Sequence, residues 1–262
     1  MVSRILVLLM AVVLIASMGC ESDVTSSQNN RYSADETFVY RVARASRSAF
    51  LLEGVNGIIE VAGGPNVESV GILGVKRVKS HSMLDAENRL DELTVEIDST
   101  DTAVSARTEQ PAQTDGREYI VNYSVTLPED FKVTITTANG DTKVRSIKND
   151  VVVSVANGVI LGDALAGNTS MTLANGSITA SVVVPPGGGV SLGIANGDIY
   201  LRIPENTSAE FVAVTTNGKV EVRNLTLTNM EATATSISGT LGDGNGLISL
   251  EVANGDIIAE GI

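Results

Sequence analysis

The stretch VVVSVANGVILGDALAGNTSMTLANGSITASV, residues 151–182, holds two copies of one short pattern centred on Asn-Gly. Across the chain, the Asn of this dipeptide recurs at positions 139, 157, 175, 196, 217 and 254, in steps of 18, 18, 21, 21 and 37 residues. The last step leaves room for one degenerate copy near Ser238-Gly239, and Asn56-Gly57 is an isolated earlier copy. A period near 20 residues indicates a stacked repeat architecture.

Aligning the copies on Asn reveals a period of two on both sides of the dipeptide. The residues six, four and two before Asn, and three and five after it, are mostly aliphatic, whereas the residues between them are mostly polar. This alternation predicts strands with one buried face, joined by a turn at Asn-Gly, because both residues tolerate positive φ. In the second copy, the inward residues are Thr169, Met171, Leu173, Ile178 and Ala180.

Two architectures fit these strands. Asn-Gly between alternating strands is a strong hairpin signal, which would give an antiparallel meander that needs a second sheet to cover it. The nearly constant repeat length favours an all-β fold, a single-stranded parallel β-helix or β-solenoid with about 18–21 residues per rung. One repeat buries too few aliphatic side chains to offset its ordering entropy, so the copies must stack.

The chain divides into segments on this basis. We assign the solenoid to residues 128–262 and a less regular N-terminal cap to residues 37–127. Within the cap, the leucines of SMLDAENRLDEL predict a short helix over 82–93, and strands are expected at about 93–98, 102–108 and 118–127. The segment EQPAQTDGR, 109–117, is predicted to be an exposed hairpin loop between two of them.

Several blocks resemble a known group of proteins. They are FLLEGVNGIIEVAG at 50–63, YSVTLPEDFKVTITTANG at 123–140, YLRIPENTSAEFVAVTTNG at 200–218 and the terminal LEVANGDIIAEG. They are similar to the bacterial putative-adhesin family, a domain of unknown function. The resemblance covers residues 37–262 and implies β-helical repeats on an exported or membrane-tethered protein.

The outward side chains before each Asn form the candidate binding face. When stacked, they make a surface of small side chains, many of them hydroxyls, which donate and accept hydrogen bonds and lose little entropy on contact. A glycan or the β-sheet of an envelope protein would suit it. The plain alternative is that Ser and Thr simply favour exposed strands. The candidate residues are Thr134, Thr136, Ser154, Ser170, Thr172 and Ser191.

The N-terminus carries an export signal. Arg4 precedes the apolar run from Ile5 to Ala16, which is too short to span a bilayer and suits a cleavable signal peptide over 1–19. The run ends at Ser17-Met18-Gly19-Cys20, which resembles the lipobox of bacterial lipoproteins and implies cleavage before Cys20 and acylation of that residue. Residues 20–36 are polar and predict a flexible tether.

The same resemblance bears on location. Glu21 follows Cys20 where Asp would favour retention in the inner membrane of lipoproteins, so we expect a lipid-anchored protein of the cell envelope, in the outer membrane rather than the inner one. The membrane would then be a partner through the N-terminal lipid.

Charge and composition narrow the chemistry. Loss of Arg4 with the signal peptide leaves 17 basic against 31 acidic residues, a net charge of −14, and no basic patch for nucleic acid. His81 is the only histidine and Cys20 the only cysteine, so neither a His-based catalytic triad nor a zinc site of the usual type is expected. We predict no cofactor and no metal, and leave the oligomeric state open.

Carboxylates form two patterns along the repeats. Asn-Gly-Asp places Asp141, Asp198 and Asp256 after the turn, where calcium could bind, but tight turns explain these residues better than a metal site does. Six residues after each Asn, a column of mixed charges could serve a polysaccharide-active enzyme, although alternating charges usually form a solvated face. That column contains Arg145, Asp163, Ser181, Arg202, Arg223 and Glu260.

The sequence therefore favours a cell-envelope binding or adhesin-like module and not an enzyme. The alternatives are an envelope-stress sensor or accessory protein that binds a protein partner, and a β-helix polysaccharide-active enzyme.

The lipid anchor gives a direct prediction. Cys20→Ser removes the acylation site, so the protein should move from the detergent-extracted membrane fraction to the soluble fraction of fractionated cells. Ser17→Ala, which keeps the cysteine, serves as the control. Equal membrane retention of the Cys20→Ser variant would contradict the anchor.

Overall fold

The computed structural model describes residues 30–262, so the signal peptide, Cys20 and most of the tether lie outside the described residues. Residues 30–262 form a nearly all-β fold, with 18 strands in one connected sheet and one short helix. The strands are β1 Tyr32–Ala43, β2 Ala49–Glu53, β3 Ile59–Gly64, β4 Ser69–Ser80, β5 Thr94–Ser99, β6 Ala103–Glu109, β7 Glu118–Pro128, β8 Lys132–Asn139, β9 Thr142–Arg145, β10 Val151–Leu165, β11 Thr169–Val182, β12 Gly189–Ile203, β13 Ala209–Asn217, β14 Val220–Arg223, β15 Leu227–Ala232, β16 Ser236–Leu241, β17 Leu247–Asn254 and β18 Ile257–Gly261.

The helix lies close to its predicted place. Helix α1 spans Met83–Arg89 and a 3₁₀ turn follows at Leu90–Glu92. The Ser82 side chain caps the N-terminus by accepting a hydrogen bond from the backbone N–H of Asp85. β1 begins at Tyr32, so the predicted tether extends too far by five residues, because Ser33 to Glu36 pair with β4 as a regular strand.

The Asn-Gly repeats pair in parallel. Val155 lies beside Leu173, Asn157 beside Asn175, and Ile160 beside Ile178, so both arms of one repeat stack on both arms of the next. In a hairpin, the arms before and after an Asn-Gly would pair with each other. Here each arm pairs with the same arm of an adjacent repeat instead. The antiparallel meander is therefore wrong for the repeat region.

The stacking order differs from the sequence order at both ends. Pairing places the parallel repeats in the order β6/β7, β2/β3, β8/β9, β10, β11, β12, β17/β18 and β13/β14. The last repeat in the chain thus lies between two earlier ones, and the Asn56-Gly57 copy lies between β6/β7 and β8/β9. The parallel ladder reaches back to residue 49 and is not confined to 128–262.

Antiparallel strands make the sheet mixed rather than purely parallel. β4 pairs with β7 and β1 at one end, β5 pairs with β6, and β16 pairs with β13 and β15 at the other end. The segment near Ser238-Gly239 is therefore not a degenerate copy of the repeat, since it runs antiparallel to β13. Residues 109–117 are likewise not a hairpin loop, because β6 and β7 pair with β2 and β3 as the two arms of one repeat.

Asparagine side chains form a ladder at the corner of the stack. Every Asn of the ladder except Asn56, which ends it, donates through Nδ2 to Oδ1 of the Asn in the adjacent repeat, at 2.8–2.9 Å. An amide can extend such a ladder because it carries both donor and acceptor. In spatial order the ladder runs through Asn56, Asn139, Asn157, Asn175, Asn196, Asn254 and Asn217.

The glycine after each Asn is required by close backbone contact. Gly176 has a φ of +139°, and a Cβ there would lie 1.7 Å from the carbonyl oxygen of Gly158 in the neighbouring repeat. Glycine is the one amino acid that tolerates both this φ and so close a carbonyl oxygen, because it has no Cβ. Asn-Gly is therefore a stacked corner, and in β10, β11 and β12 one continuous strand runs through it.

Repeat length is set at a second corner. In three repeats, the residue seven after Asn adopts a positive φ and turns the chain sharply: Ser146, Ala164 and Asn224. The two 21-residue steps lack this residue and use longer connections at 183–188 and 204–208 instead.

The predicted inward columns form the core. Every one of these residues is buried except Val222, which is half-buried. Ile178 is fully buried, whereas its neighbour Thr179 points outward and is half-buried. The core is thus one continuous layered column of mainly aliphatic side chains inside the stack, with a few aromatic ones such as Phe50 and Phe211.

This register predicts opposite effects at adjacent positions. Ile178→Asp places an unpaired carboxylate in the core and should cost about 3 kcal/mol or more of unfolding free energy. Thr179→Asp should cost under about 1 kcal/mol, because its side chain reaches water. Chemical denaturation monitored by circular dichroism measures both. Equal losses would contradict the assignment of inward and outward sides.

Candidate functional site

The stack presents two outward surfaces, one on each side of the Asn-Gly corner. We call the surface formed by the arms before Asn the upstream face, and that formed by the arms after Gly the downstream face. The predicted binding residues all lie on the upstream face, in two columns. Thr134, Ser170 and Ser191 share one column with Val152, and Thr136, Ser154 and Thr172 share the next.

The hydroxyl columns are accessible to different degrees. Thr136, Ser154 and Ser191 are exposed, whereas Thr134, Ser170 and Thr172 are half-buried by their neighbours. Thr172 Oγ1 donates to Ser154 Oγ at 3.3 Å, which fixes one rotamer across two repeats. The part of the face formed by β8, β10, β11 and β12 therefore carries short side chains, with the hydroxyls of Thr136, Ser154 and Ser191 available to a ligand.

Aliphatic side chains flank the hydroxyl columns. Val152 is 36% exposed, Val212 38%, Val214 40% and Leu51 39%, and all four point outward on the upstream face. Sequence reasoning missed Leu51, because nothing in the spacing indicates that β2 pairs with β8. The face therefore combines hydroxyls with exposed aliphatic surface.

The charged column lies on the downstream face in a spatial order of Arg145, Asp163, Ser181, Arg202, Glu260 and Arg223. Tyr200 donates its hydroxyl hydrogen to Glu260, and Arg223 binds Glu221 at 2.8 Å. Asp163 and Glu260 are three strands apart, or about 14 Å, which exceeds the spacing of about 5–9.5 Å used by paired glycosidase carboxylates. This column does not supply such a pair.

The carboxylates of the Asn-Gly-Asp segments accept hydrogen bonds from backbone N–H groups of the adjacent repeat. Asp141 Oδ1 accepts from the N–H of Val159 at 3.1 Å, and Asp256 Oδ1 accepts from Lys219 at 2.8 Å. Asp198 accepts from Asp256 N–H at 2.8 Å. Among residues 30–262, no group of three His, Cys, Asp or Glu side chains is placed to hold a metal ion.

His81 lies beside a serine and an aspartate, but in an order that does not form a triad. Ser80 Oγ donates directly to Asp85, and His81 Nδ1 lies 3.3 Å from Ser80 Oγ and 3.9 Å from Asp85 Oδ2. In a triad, the histidine would lie between the other two. Ser80 is also fully buried, so its hydroxyl is inaccessible to a substrate.

Asp85 instead anchors the helix to the loop at 110–117. Arg117 binds it through two nitrogens, at 2.7 and 3.0 Å. The Arg117 guanidinium, and after it the Ser80 hydroxyl, hold the pKa of the Asp85 carboxyl well below its ordinary value. This pair positions Arg117 at the edge of a cleft.

The cleft lies where the Asn ladder ends and has a volume of about 690 Å³. Its walls come from β4, β7, the 110–117 loop and the first two ladder corners. At the ladder end, Asn56 Nδ2 donates to Gln110 Oε1 at 3.3 Å and to the carbonyl of Tyr119 at 3.1 Å. Sequence reasoning did not find the cleft; the isolated Asn56-Gly57 copy was the available signal.

The comparisons with known proteins concern the fold. No protein-family model and no curated protein matches the chain. A solved structure of a putative cell adhesion protein from Clostridium sporogenes is similar to it with a TM-score of 0.51 and 12% identity, over 87% of this chain and 100% of that one. This likeness shows a shared fold.

Two further solved structures are more distant. A putative adhesin from Bacteroides fragilis has a TM-score of 0.35 and 10% identity, over 87% of this chain and 97% of its own. A putative adhesin from Parabacteroides distasonis has a TM-score of 0.27 and 9% identity, over 86% of this chain and 97% of its own.

The Asp85–Arg117 pair predicts an acid-sensitive stability. Because the folded pKa of Asp85 is lowered, its ionised form stabilises the fold above the unfolded pKa of about 3.9, and this contribution is lost as pH falls through the folded pKa. Asp85→Asn should lower Tm most at neutral pH, and the difference from the unmodified protein should shrink below about pH 4. Asp91→Asn, in the exposed 3₁₀ turn, is the control. A Tm difference independent of pH would contradict this role.

Proposed function

We propose that this chain is an exported, lipid-anchored β-solenoid that acts as an adhesin-like binding module of the cell envelope. The observation that carries the proposal is the upstream face, which is continuous across the parallel repeats and carries exposed hydroxyls and aliphatics, with charged side chains such as Glu53 and Glu251 toward its ends. The fold that the chain shares with the putative cell adhesion protein from Clostridium sporogenes is consistent with the proposal.

The solenoid part of the proposal rests on the pairing pattern. Both arms of each repeat stack in parallel on the same arms of the next, and the inward columns meet in one core. A β-solenoid coil needs this arrangement, because each coil then buries its neighbours' apolar faces.

The dimensions of the upstream face suit a protein partner. Eight parallel strands at a spacing of about 4.8 Å give a length of about 34 Å, and five residues per arm give a width of about 17 Å. The resulting area is of the same order as the roughly 800 Å² that each partner buries in a standard interface. Exposed valines spread over several strands of this face offer more to a protein surface than to a single glycan chain.

The anchor would attach at one end of the stack. Asn30, the first described residue, donates to the carbonyl of Gly116 at 3.0 Å, next to β7 at the N-terminal end of the ladder. The Cys20 lipid and the short segment after it would hold that end near the membrane. With that end of the stack held near the membrane, the upstream face would extend along the rest of the stack. None of the helices between residues 30 and 262 is long and apolar enough to cross a membrane.

The test replaces Ser154, Thr172 and Ser191 with Lys in the full chain, leaving the inward columns untouched. Cells displaying this variant should attach at least about tenfold less to wells coated with envelope extract, because three desolvated cations cost more than about 1.4 kcal/mol of binding. Treatment of the coating with protease should abolish attachment, and periodate oxidation of glycans should not.

The matched control puts Lys at Ser124, Thr126 and Thr179 on the downstream face, so the charge change is the same. Its attachment should stay within about twofold of the unmodified chain. Unchanged attachment of the upstream variant would overturn the proposed face. Sensitivity to periodate instead of protease would overturn the protein partner.

A further inference from the structure

The cleft at the end of the Asn ladder is a second feature of the surface, separate from the upstream face. It is lined by the ladder residue Asn56, by Asn122, by the exposed aliphatic Ile58, and by the cations Arg77, Lys79 and Arg117. Its volume of about 690 Å³ lies within the range of roughly 300–1,000 Å³ of small-molecule sites.

Each cation of the cleft is already neutralised by a carboxylate. Arg77 binds Asp35 through two nitrogens at 2.8 and 2.7 Å, and Lys79 binds Glu118 at 3.0 Å. Arg117 is held by Asp85 as described above. The cleft therefore carries fixed hydrogen-bond donors without a net positive charge, on a chain whose formal net charge is −13. An anionic ligand gains little from such a site.

The remaining polar groups suit hydroxyls. Asn122 Oδ1 accepts from the backbone N–H of Ile58 at 2.8 Å, which fixes the amide and directs its NH₂ group away from that bond. Asp141, which also lines the cleft, accepts from the backbone N–H of Val159 through Oδ1 and has a second carboxylate oxygen that can accept. Fixed amides, guanidinium groups and a carboxylate can donate to and accept from the neighbouring hydroxyls of a polyol.

Apolar surface completes the site. Ile58 is 44% exposed and presents an aliphatic patch between these polar groups. Ligand sites typically combine such a patch with a few positioned hydrogen-bonding groups. A sugar ring matches both, since it has C–H bonds on its faces and hydroxyls around its edge.

We propose that this cleft binds the end of a neutral oligosaccharide. The ion pairs hold its walls before the ligand arrives, so binding needs little reorganisation of the protein. The site is independent of the upstream face, which lies on the other side of the Asn corner, and the two are separable by mutation.

The experiment measures binding of cellotetraose, mannotetraose and chitotetraose to the full chain by isothermal calorimetry, with tetragalacturonate as the anionic probe of matched size. At least one neutral tetramer should bind with a Kd below about 1 mM, and tetragalacturonate should bind at least about tenfold more weakly. Absence of binding by all three neutral tetramers, or tighter binding of the uronate, would overturn the proposal.

Variants locate the site. Ile58→Arg should weaken binding at least about tenfold, whereas Leu73→Arg, at a similarly exposed position of β4 outside the cleft, should leave it within about twofold. Lys79→Met, which removes one hydrogen-bond donor and keeps the aliphatic part of the side chain, should weaken oligosaccharide binding while the protein still folds. The variant with Lys at Ser154, Thr172 and Ser191 should retain oligosaccharide binding. Equal binding by Ile58→Arg and Leu73→Arg proteins of unchanged Tm would show that the sugar binds elsewhere.

Discussion

The asparagine ladder is the constraint on which the rest of the structure depends. Each amide must lie one strand spacing from the next to donate at 2.8–2.9 Å, and each following glycine must bring its backbone against the neighbouring corner. A slip of one residue would break the ladder and turn every inward side chain outward. One polar interaction thus fixes the register of two arms and of the aliphatic core between them.

The ladder also accommodates a change of chain order. An Asn from any part of the sequence satisfies its neighbour equally well, so Asn254 can lie between Asn196 and Asn217. The chain then closes both ends with antiparallel strands, as exposed parallel edges would offer unpaired backbone groups to other chains. At the C-terminal end, a register shift between Thr228 and Glu231 and a positive φ at Asn229 further disrupt the outer edge strand β15.

Sequence reasoning succeeded where periodicity determines the answer. The inward columns, and with them the outward hydroxyls from Thr134 to Ser191, follow from a period of two that does not depend on which repeat neighbours which. The stacking order could not be read in this way, because the pairing of β2 with β8 joins residues about 80 positions apart and leaves no trace in the spacing. Leu51 on the upstream face and the cleft were missed for that reason, whereas the antiparallel strands at the two ends lie outside the repeat pattern altogether.

The upstream face and the cleft illustrate two ways in which stacked repeats can form a binding surface. Stacking copies by translation produces a face that repeats, which suits an extended contact but distinguishes no single position along it. A site for one small ligand needs a place where the repeat is interrupted. Here the 110–117 loop interrupts the repeat, because it occupies the place of the next Asn-Gly corner. Asn56 therefore has no further Asn to donate to and donates to Gln110 and the Tyr119 carbonyl instead. The departure from the repeat pattern at Asn56 therefore creates the cleft. Because the repeat pattern carries no information about such a departure, the cleft could not be predicted from it.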